Sequence, residues 1–89
     1  MVSKEIEIKN PLGLNSKAAA LFIHKSSGYR SSIWIEKDER KANAKSLLGL
    51  LSLSIQMGES VIIAVEGDDE KTALRELEEY LNNDLGEIG

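Results

Sequence analysis

The run Val61–Val65 is the sequence feature that most constrains the fold of this chain. All but one of its residues are β-branched, and such side chains fit a pleated strand better than a helix. Gly67 and two aspartates follow the run and mark a turn. The sequence therefore predicts a strand over Ser60 to Glu66, at the centre of a β-sheet.

Alternation of polar and apolar residues predicts strands at two other places. Residues 2–9 alternate around Ile6 and Ile8, which is typical of a half-buried strand. Residues 32–37 follow the same period. Their two isoleucines therefore share one face, and Trp34 points to the other face.

Three helices are predicted between and after the strands. Asn15 or Ser16 caps the first helix, which ends near Gly28. The second helix is short and leucine-rich, and it begins after Ser46, whose hydroxyl can accept a hydrogen bond from a backbone N–H one turn ahead. The third is expected to begin after an aspartate cap within Asp68-Asp69.

A short strand over Arg40 to Asn43 completes the pattern. It follows a turn at Asp38-Glu39, which lacks the glycine that tight hairpins prefer. The resulting order, β-α-β-β-α-β-α, predicts an α+β fold with one sheet and the helices on a single face. At 89 residues the chain is expected to form one domain over residues 1–89, with residues 82–89 fraying at the end.

Composition and charge exclude several classes of function. The net charge is −4, with nine Lys/Arg against five Asp/Glu in residues 1–58 and two against ten in residues 59–89. An acidic chain is a poor candidate for direct binding to nucleic acid. Without cysteine it can form neither disulfides nor thiolate metal sites, which fits a cytoplasmic location. No signal peptide or membrane-spanning segment is recognisable.

No catalytic, cofactor or metal site can be identified in the sequence. His24 is the only histidine and lies within the first helix, so a metal site is not expected. Phosphate-binding glycine loops are absent, and the carboxylates of the last helix follow the pattern of a solvated face. The chain is therefore not expected to be an enzyme.

Two positions have more than one interpretation. Ser46 is either a helix cap or also a phosphorylation site, since a helix N-terminus favours negative charge and Lys45 lies beside it. Trp34 is either a partly covered edge residue or an anchor for a partner or a second subunit.

The segment Asn43–Leu53, NAKSLLGLLSL, carries a resemblance to a known family. Together with Gly13-Leu14 before the first helix and Gly67 before the last, it resembles the HPr family of the bacterial sugar phosphotransferase system along nearly the whole chain. The resemblance implies an HPr-like open-faced two-layer sandwich, with a four-stranded antiparallel sheet and three helices on one face. It also identifies Ser46 with the family's regulatory serine.

The active-site loop departs from the family signature of glycine, apolar residue, histidine, alanine, arginine, proline and alanine. Asn15 stands at the phosphohistidine position and has no nucleophilic nitrogen. Lys17 replaces the arginine, and Ala18 replaces the proline. The resemblance therefore implies that this chain does not carry phosphate from enzyme I to sugar permeases.

Because it lacks the histidine but retains the serine, the chain resembles the catabolite-repression HPr-like proteins of Gram-positive bacteria. Those relatives, however, usually keep the arginine and the proline. The resemblance implies phosphorylation of Ser46 by an ATP-dependent HPr kinase/phosphorylase. It further implies a corepressor role with a LacI-type catabolite control protein. The expected partner interface surrounds Ser46 and comprises Lys17, Lys45, Leu47, Leu48 and Leu51.

Two alternatives remain open. The chain could be a phosphocarrier that uses another residue, for which His24 is the candidate. It could instead be an unphosphorylated protein-interaction module, either a monomer or a homodimer formed through the sheet face around Trp34.

Overall fold

The computed structural model describes residues 1–84 and the side chains of residues 1–82. The strands are β1 (Val2–Glu7), β2 (Ser32–Lys37), β3 (Arg40–Asn43) and β4 (Ser60–Glu66). The helices are α1 (Ser16–Ser26), α2 (Leu47–Ser52) and α3 (Glu70–Glu79), followed by a π-helical turn over Tyr80–Asp84. The predicted order of elements is confirmed.

The predicted fraying of residues 82–89 stays a prediction. Residues 82–84 continue α3 as part of the π-helical turn, and residues 85–89 lie outside the described residues. No helix within residues 1–84 has both the length and the apolar character needed to cross a bilayer.

The four strands form one antiparallel sheet in the order β1-β4-β2-β3. β4 is therefore a central strand, as its composition predicts. On β4, Ile63 lies opposite Lys4 of β1 and Ile35 of β2. These pairings satisfy the backbone hydrogen-bonding groups on both edges of the most apolar strand.

The helices cover one face of the sheet. Alternate residues of β4 and β2, including Val61, Ile63 and Ile35, are buried against them, whereas Trp34 is half-buried on the opposite face. Ala18 and Ala19 of α1 are fully buried. The main contacts of α1 with other elements are with α2 and α3 in the same layer. This α+β open-faced sandwich confirms the predicted fold.

The turn between β2 and β3 is tight despite having no glycine. Lys37 pairs with Arg40, so only Asp38 and Glu39 lie between the strands, with φ of 50° and 67°. Both residues adopt the left-handed conformation of a type I′ turn, which matches the twist of the flanking strands. The geometry of the hairpin therefore overrides the local preference of these two side chains.

Gly13 is a glycine that the fold requires. Its φ is +64°, and a β-carbon there would overlap the carbonyl oxygen of Ile55 and lie 2.8 Å from the Cα of Gln56. Gly58 also has positive φ, at +88°, but a β-carbon there would meet no atom within 4 Å. A comparison of the two positions therefore distinguishes the cost of a strained φ from the cost of steric overlap.

We expect Gly13→Ala to lower the free energy of unfolding by more than about 2 kcal/mol, because backbone atoms must move as well as adopt a strained φ. Gly58→Ala, as the matched control, should cost only about 1 kcal/mol. Urea unfolding followed by circular dichroism measures both. Equal losses in the two variants would contradict the steric explanation.

Candidate functional site

Asn15 is exposed and forms the N-cap of α1. Its side-chain oxygen accepts a hydrogen bond from the backbone N–H of Ala18 at 2.9 Å, so Asn15, and not Ser16, is the capping residue. The preceding loop is fixed by a hydrogen bond from the N–H of Leu14 to the carbonyl of Ile55 at 3.0 Å. The amide of Asn15 thus has a structural task, and its nitrogen is not a nucleophile.

Lys17 lies exposed in the first turn of α1 and makes no ion pair or hydrogen bond with the residues that the structure describes. Ala18, next to it, is buried in the core. Lys17 is therefore the member of the predicted interface whose charge is available to a partner.

Ser46 caps α2, as the sequence predicts. Its hydroxyl oxygen accepts a hydrogen bond from the N–H of Gly49 at 3.2 Å, and its backbone is extended, with φ −115° and ψ 116°. The side chain is half-buried. A β-carbon on Gly49 would lie 3.2 Å from this hydroxyl and 3.3 Å from Cβ of Ala42, so the glycine keeps space beside the hydroxyl.

The leucines of α2 divide between the core and the surface. Leu50 is fully buried, whereas Leu48 is 81% exposed and Leu47 42% exposed. Leu51 is half-buried and packs against the core. Two of the three predicted interface leucines therefore present apolar surface directly after Ser46.

Lys45 contacts a neighbouring loop. Its ammonium donates to the carbonyl oxygens of Tyr29 and Ser31, each at 3.1 Å. Its own N–H donates to the side chain of Asn43 at 2.8 Å. The charge of Lys45 is thus adjacent to the cap in sequence but is already solvated by two carbonyls in the structure. Its role in a partner interface stays a prediction.

The same loop is held from its other side by Asp69. The carboxylate accepts from the N–H of Arg30 at 2.9 Å, from the N–H of Ser31 at 3.0 Å and from the hydroxyl of Ser31 at 2.5 Å. The hydroxyl of Ser31, followed by the N–H of Arg30, lowers the pKa of Asp69 below its usual value. Asp69 occupies the N-cap position of α3 but makes no side-chain capping bond, which corrects the predicted aspartate cap.

Two cations from the β2–β3 hairpin bind the end of α2. Lys37 donates to the carbonyls of Leu53 at 3.0 Å and Ser54 at 2.9 Å, and Arg40 donates to the carbonyl of Ser52 at 2.6 Å. The sequence analysis missed this arrangement. The sequence does indicate the direction of Lys37. It alternates with the same period of two as the buried isoleucines of its strand and so must point toward the helices.

The remaining candidate does not form a site. His24 is exposed on α1. Within residues 1–84 no cluster of histidine and carboxylate side chains could hold a metal ion, and no ligand-sized cavity is present. The part of the chain that the structure describes therefore offers the start of α2, with Ser46 and the exposed Leu47 and Leu48, as its candidate site.

Comparison with known proteins decides the family. Residues 2–83 match the family described as PTS HPr component phosphorylation site. The chain belongs to the HPr family. It is 40% identical to the HPr-like protein Crh of Halalkalibacterium halodurans over 84 residues, which cover 94% of this chain and 100% of that protein.

Solved structures of the HPr family agree with the fold. HPr-C-His from Thermoanaerobacter tengcongensis matches with a TM-score of 0.92 and 43% identity over 97% of each chain. Bacillus subtilis Crh, described as a swapping-domain dimer, matches with a TM-score of 0.75 and 38% identity over 92% of this chain and 94% of that one. HPr and Crh proteins are phosphocarriers or regulators, so this member is not an enzyme. Its likeness to Crh supports an HPr-like regulatory role.

The cap at Ser46 predicts a specific stability series. Ser46→Ala removes the acceptor for the N–H of Gly49 and should lower the free energy of unfolding by about 1 kcal/mol. Ser46→Asp supplies another good cap and should stay within about 0.5 kcal/mol of the unmodified protein. Ser52→Ala, in the same helix, is the control: its exposed hydroxyl donates only to the carbonyl of Gly49 at 2.7 Å, and the higher helix propensity of alanine offsets the loss of that bond. A Ser46→Ala variant as stable as Ser52→Ala would contradict the capping role.

The hydrogen bonds of Asp69 predict a pH-dependent stability. A carboxylate with a lowered native pKa stabilises the fold above its unfolded value of about 3.9, and this stabilisation is lost as the pH falls through the native value. The stability difference between the parent and Asp69→Asn should therefore be largest near neutral pH and shrink below about pH 4. Urea unfolding from pH 7 downward measures it.

Asp68→Asn provides the control for Asp69, because the side chain of Asp68 is exposed and makes no hydrogen bond to the described residues. Its unfolding curves should follow those of the parent at every pH. A pH-independent difference between the parent and Asp69→Asn would contradict the proposed role of the carboxylate charge.

Proposed function

We propose that this chain is a non-catalytic HPr-like regulatory protein that is switched by phosphorylation of Ser46. An ATP-dependent HPr kinase/phosphorylase would transfer the γ-phosphoryl group of ATP to the hydroxyl oxygen, releasing ADP and the hydroxyl proton. The observation that carries the proposal is the position of that hydroxyl: it caps α2 beside the exposed leucines Leu47 and Leu48.

Phosphate at Ser46 suits the start of α2 electrostatically. The first N–H groups of a helix have no intrahelical acceptor, and the helix dipole favours negative charge there. A phosphoserine adds roughly −1.5 to −2 charges and strong acceptor oxygens at this point. The charge of the surface would therefore change while the helix kept its cap.

The partner would recognise both parts of this surface. Leu47, Leu48 and Leu51 supply apolar contact, and the phosphate supplies an ion-pairing group that the unmodified protein lacks. Lys17, and Lys45 at the edge, would complete the interface. The affinity for the partner would therefore depend on phosphorylation of Ser46, which is the property required of a corepressor.

The similarity to Crh supports the choice of partner. The Bacillus subtilis relative is described as a catabolite repression protein. We therefore propose that the phosphorylated form binds a LacI-type catabolite control protein in the cytoplasm and contacts that protein rather than DNA or a membrane. This function also fits Asn15, which holds the start of α1 but cannot accept a phosphoryl group at the family's histidine position.

The assembly of the chain is a separate part of the proposal. Bacillus subtilis Crh is described as a swapping-domain dimer. Within this chain β1 pairs with β4 along its full length, a pairing that is compatible with a monomer. We propose the monomer as the form that docks on the control protein and a homodimer as its alternative.

Incubation with an HPr kinase/phosphorylase and ATP, followed by intact-mass and peptide mass spectrometry, tests the switch. The parent protein and Ser52→Ala should each gain one phosphoryl group, whereas Ser46→Ala should gain none. Ser52 is a demanding control because it is an exposed serine in the same helix. Phosphorylation of Ser46→Ala to the same extent as the parent would refute the proposal.

A second incubation distinguishes the phosphocarrier alternative. With phosphoenolpyruvate and enzyme I, the proposed regulator should acquire no label. A base-stable, acid-labile phosphoryl group that disappears in His24→Ala would instead establish a histidine phosphocarrier. Absence of modification under both conditions would favour the unphosphorylated interaction module.

A further inference from the structure

The face of the sheet opposite the helices has an apolar centre. Trp34 of β2 lies directly across from Ala64 of β4, and Ile62 of β4 occupies the same face one pleat away. Ile62 is 38% exposed, and Trp34 and Ala64 are half-buried. We call this surface the open face. Among the residues that the structure describes, no helix packs on it.

Carboxylates surround this apolar centre. Glu5 of β1 and Glu36 of β2 flank Ile62 from its two sides in the same cross-strand row. Glu7 and Glu66 lie toward opposite ends of the same face. None of these four glutamates forms an ion pair with the residues that the structure describes. Their charges are therefore available to a partner.

Lys41 is the strand lysine on the open face, and it forms no ion pair with these glutamates. Its ammonium lies 4.7 Å from the centre of the Trp34 ring, so it stacks on the indole although Glu36 is its cross-strand neighbour. This contact also shows that the ring accepts a cation on its surface. The open face thus combines four unpaired carboxylates, an aromatic ring that receives a cation and an exposed aliphatic side chain.

We propose that the open face is a docking surface for a basic protein segment, in which an apolar side chain lies on Trp34 and Ile62 and flanking Lys or Arg side chains pair with Glu5 and Glu36. Charge complementarity selects this occupant. A second copy of the chain would bring the same carboxylates against one another, and like charges across an interface oppose association.

The proposed surface is separate from the one around Ser46. The helix layer carries Ser46, whereas the open face lies on the other side of the sheet, so the two surfaces can be occupied together. The inference thereby goes beyond the proposed function, and its outcome is independent of whether Ser46 is phosphorylated.

The test uses two short blocked peptides, one with a leucine flanked on each side by lysines and one with the same leucine flanked by glutamates. Amide chemical shifts of the isotope-labelled full chain locate the binding site, and emission of the single tryptophan gives the affinity. We expect the lysine peptide to shift amides of β1, β2 and β4 and to change Trp34 emission. The glutamate peptide should do neither.

Glu5→Gln/Glu36→Gln should weaken binding of the lysine peptide by about threefold to tenfold, the range given by two exposed ion pairs. The matched control, Asp68→Asn/Glu79→Gln, removes the same charge from exposed positions outside the open face and should change the affinity less than twofold. Ser46→Ala should bind as the parent does.

Several results would overturn the proposal. If both double variants weakened peptide binding equally, the attraction would come from the net charge of the chain and not from the open face. If the amide chemical shifts changed only in the helix layer, the peptide would bind there and not on the open face. If the lysine peptide did not bind at millimolar concentration, the open face would not be a docking surface for a basic segment. Concentration-dependent dimerisation that shifts open-face amides without peptide would make a second copy the occupant.

Discussion

The pairing of β4 on both its edges is the constraint on which the rest of the structure depends. Because β1 and β2 satisfy its backbone groups, the apolar side chains of β4 can be buried without unpaired polar atoms. Its alternate residues then give the sheet one strongly apolar side, which α1, α2 and α3 must cover. The other side has a small apolar centre of Trp34, Ile62 and Ala64 bordered by carboxylates, so the sheet has two chemically different faces.

The position of Ser46 follows from this arrangement through α2. A helix of six residues is too short to be stable by itself, so contacts from elsewhere must hold it. Leu50 fastens its middle to the core, Ser46 satisfies its first turn, and Lys37 and Arg40 bind the carbonyls at its end. The tight β2–β3 hairpin thereby helps to fix a hydroxyl at the opposite end of the helix.

The sequence was sufficient for the features that depend on local pattern. The period of two in β1 and β2, the β-branched run of β4 and the cap at Ser46 each follow from neighbouring residues. The sequence was insufficient to predict the hydrogen-bond partners of side chains that can bond either to neighbouring residues or to residues far away in the chain. Asp69 stands at a helix N-terminus but binds the loop at Arg30 and Ser31, and Lys45 binds carbonyls more than ten residues earlier in the chain. These partners depend on how separate segments pack against one another, which the spacing of residues along the chain does not reveal.

Asn15 fixes the start of α1 in this scaffold. Asparagine is among the best N-cap residues, and here its side-chain oxygen holds the N–H of Ala18. Asn15 therefore stabilises the start of α1, although its side chain has no nucleophilic nitrogen. Ala18 is buried in the core, and Lys17 remains solvent-exposed beside the cap. The loop before α1 is thus structurally complete, which is why we propose Ser46, and not Asn15, as the position of a covalent modification.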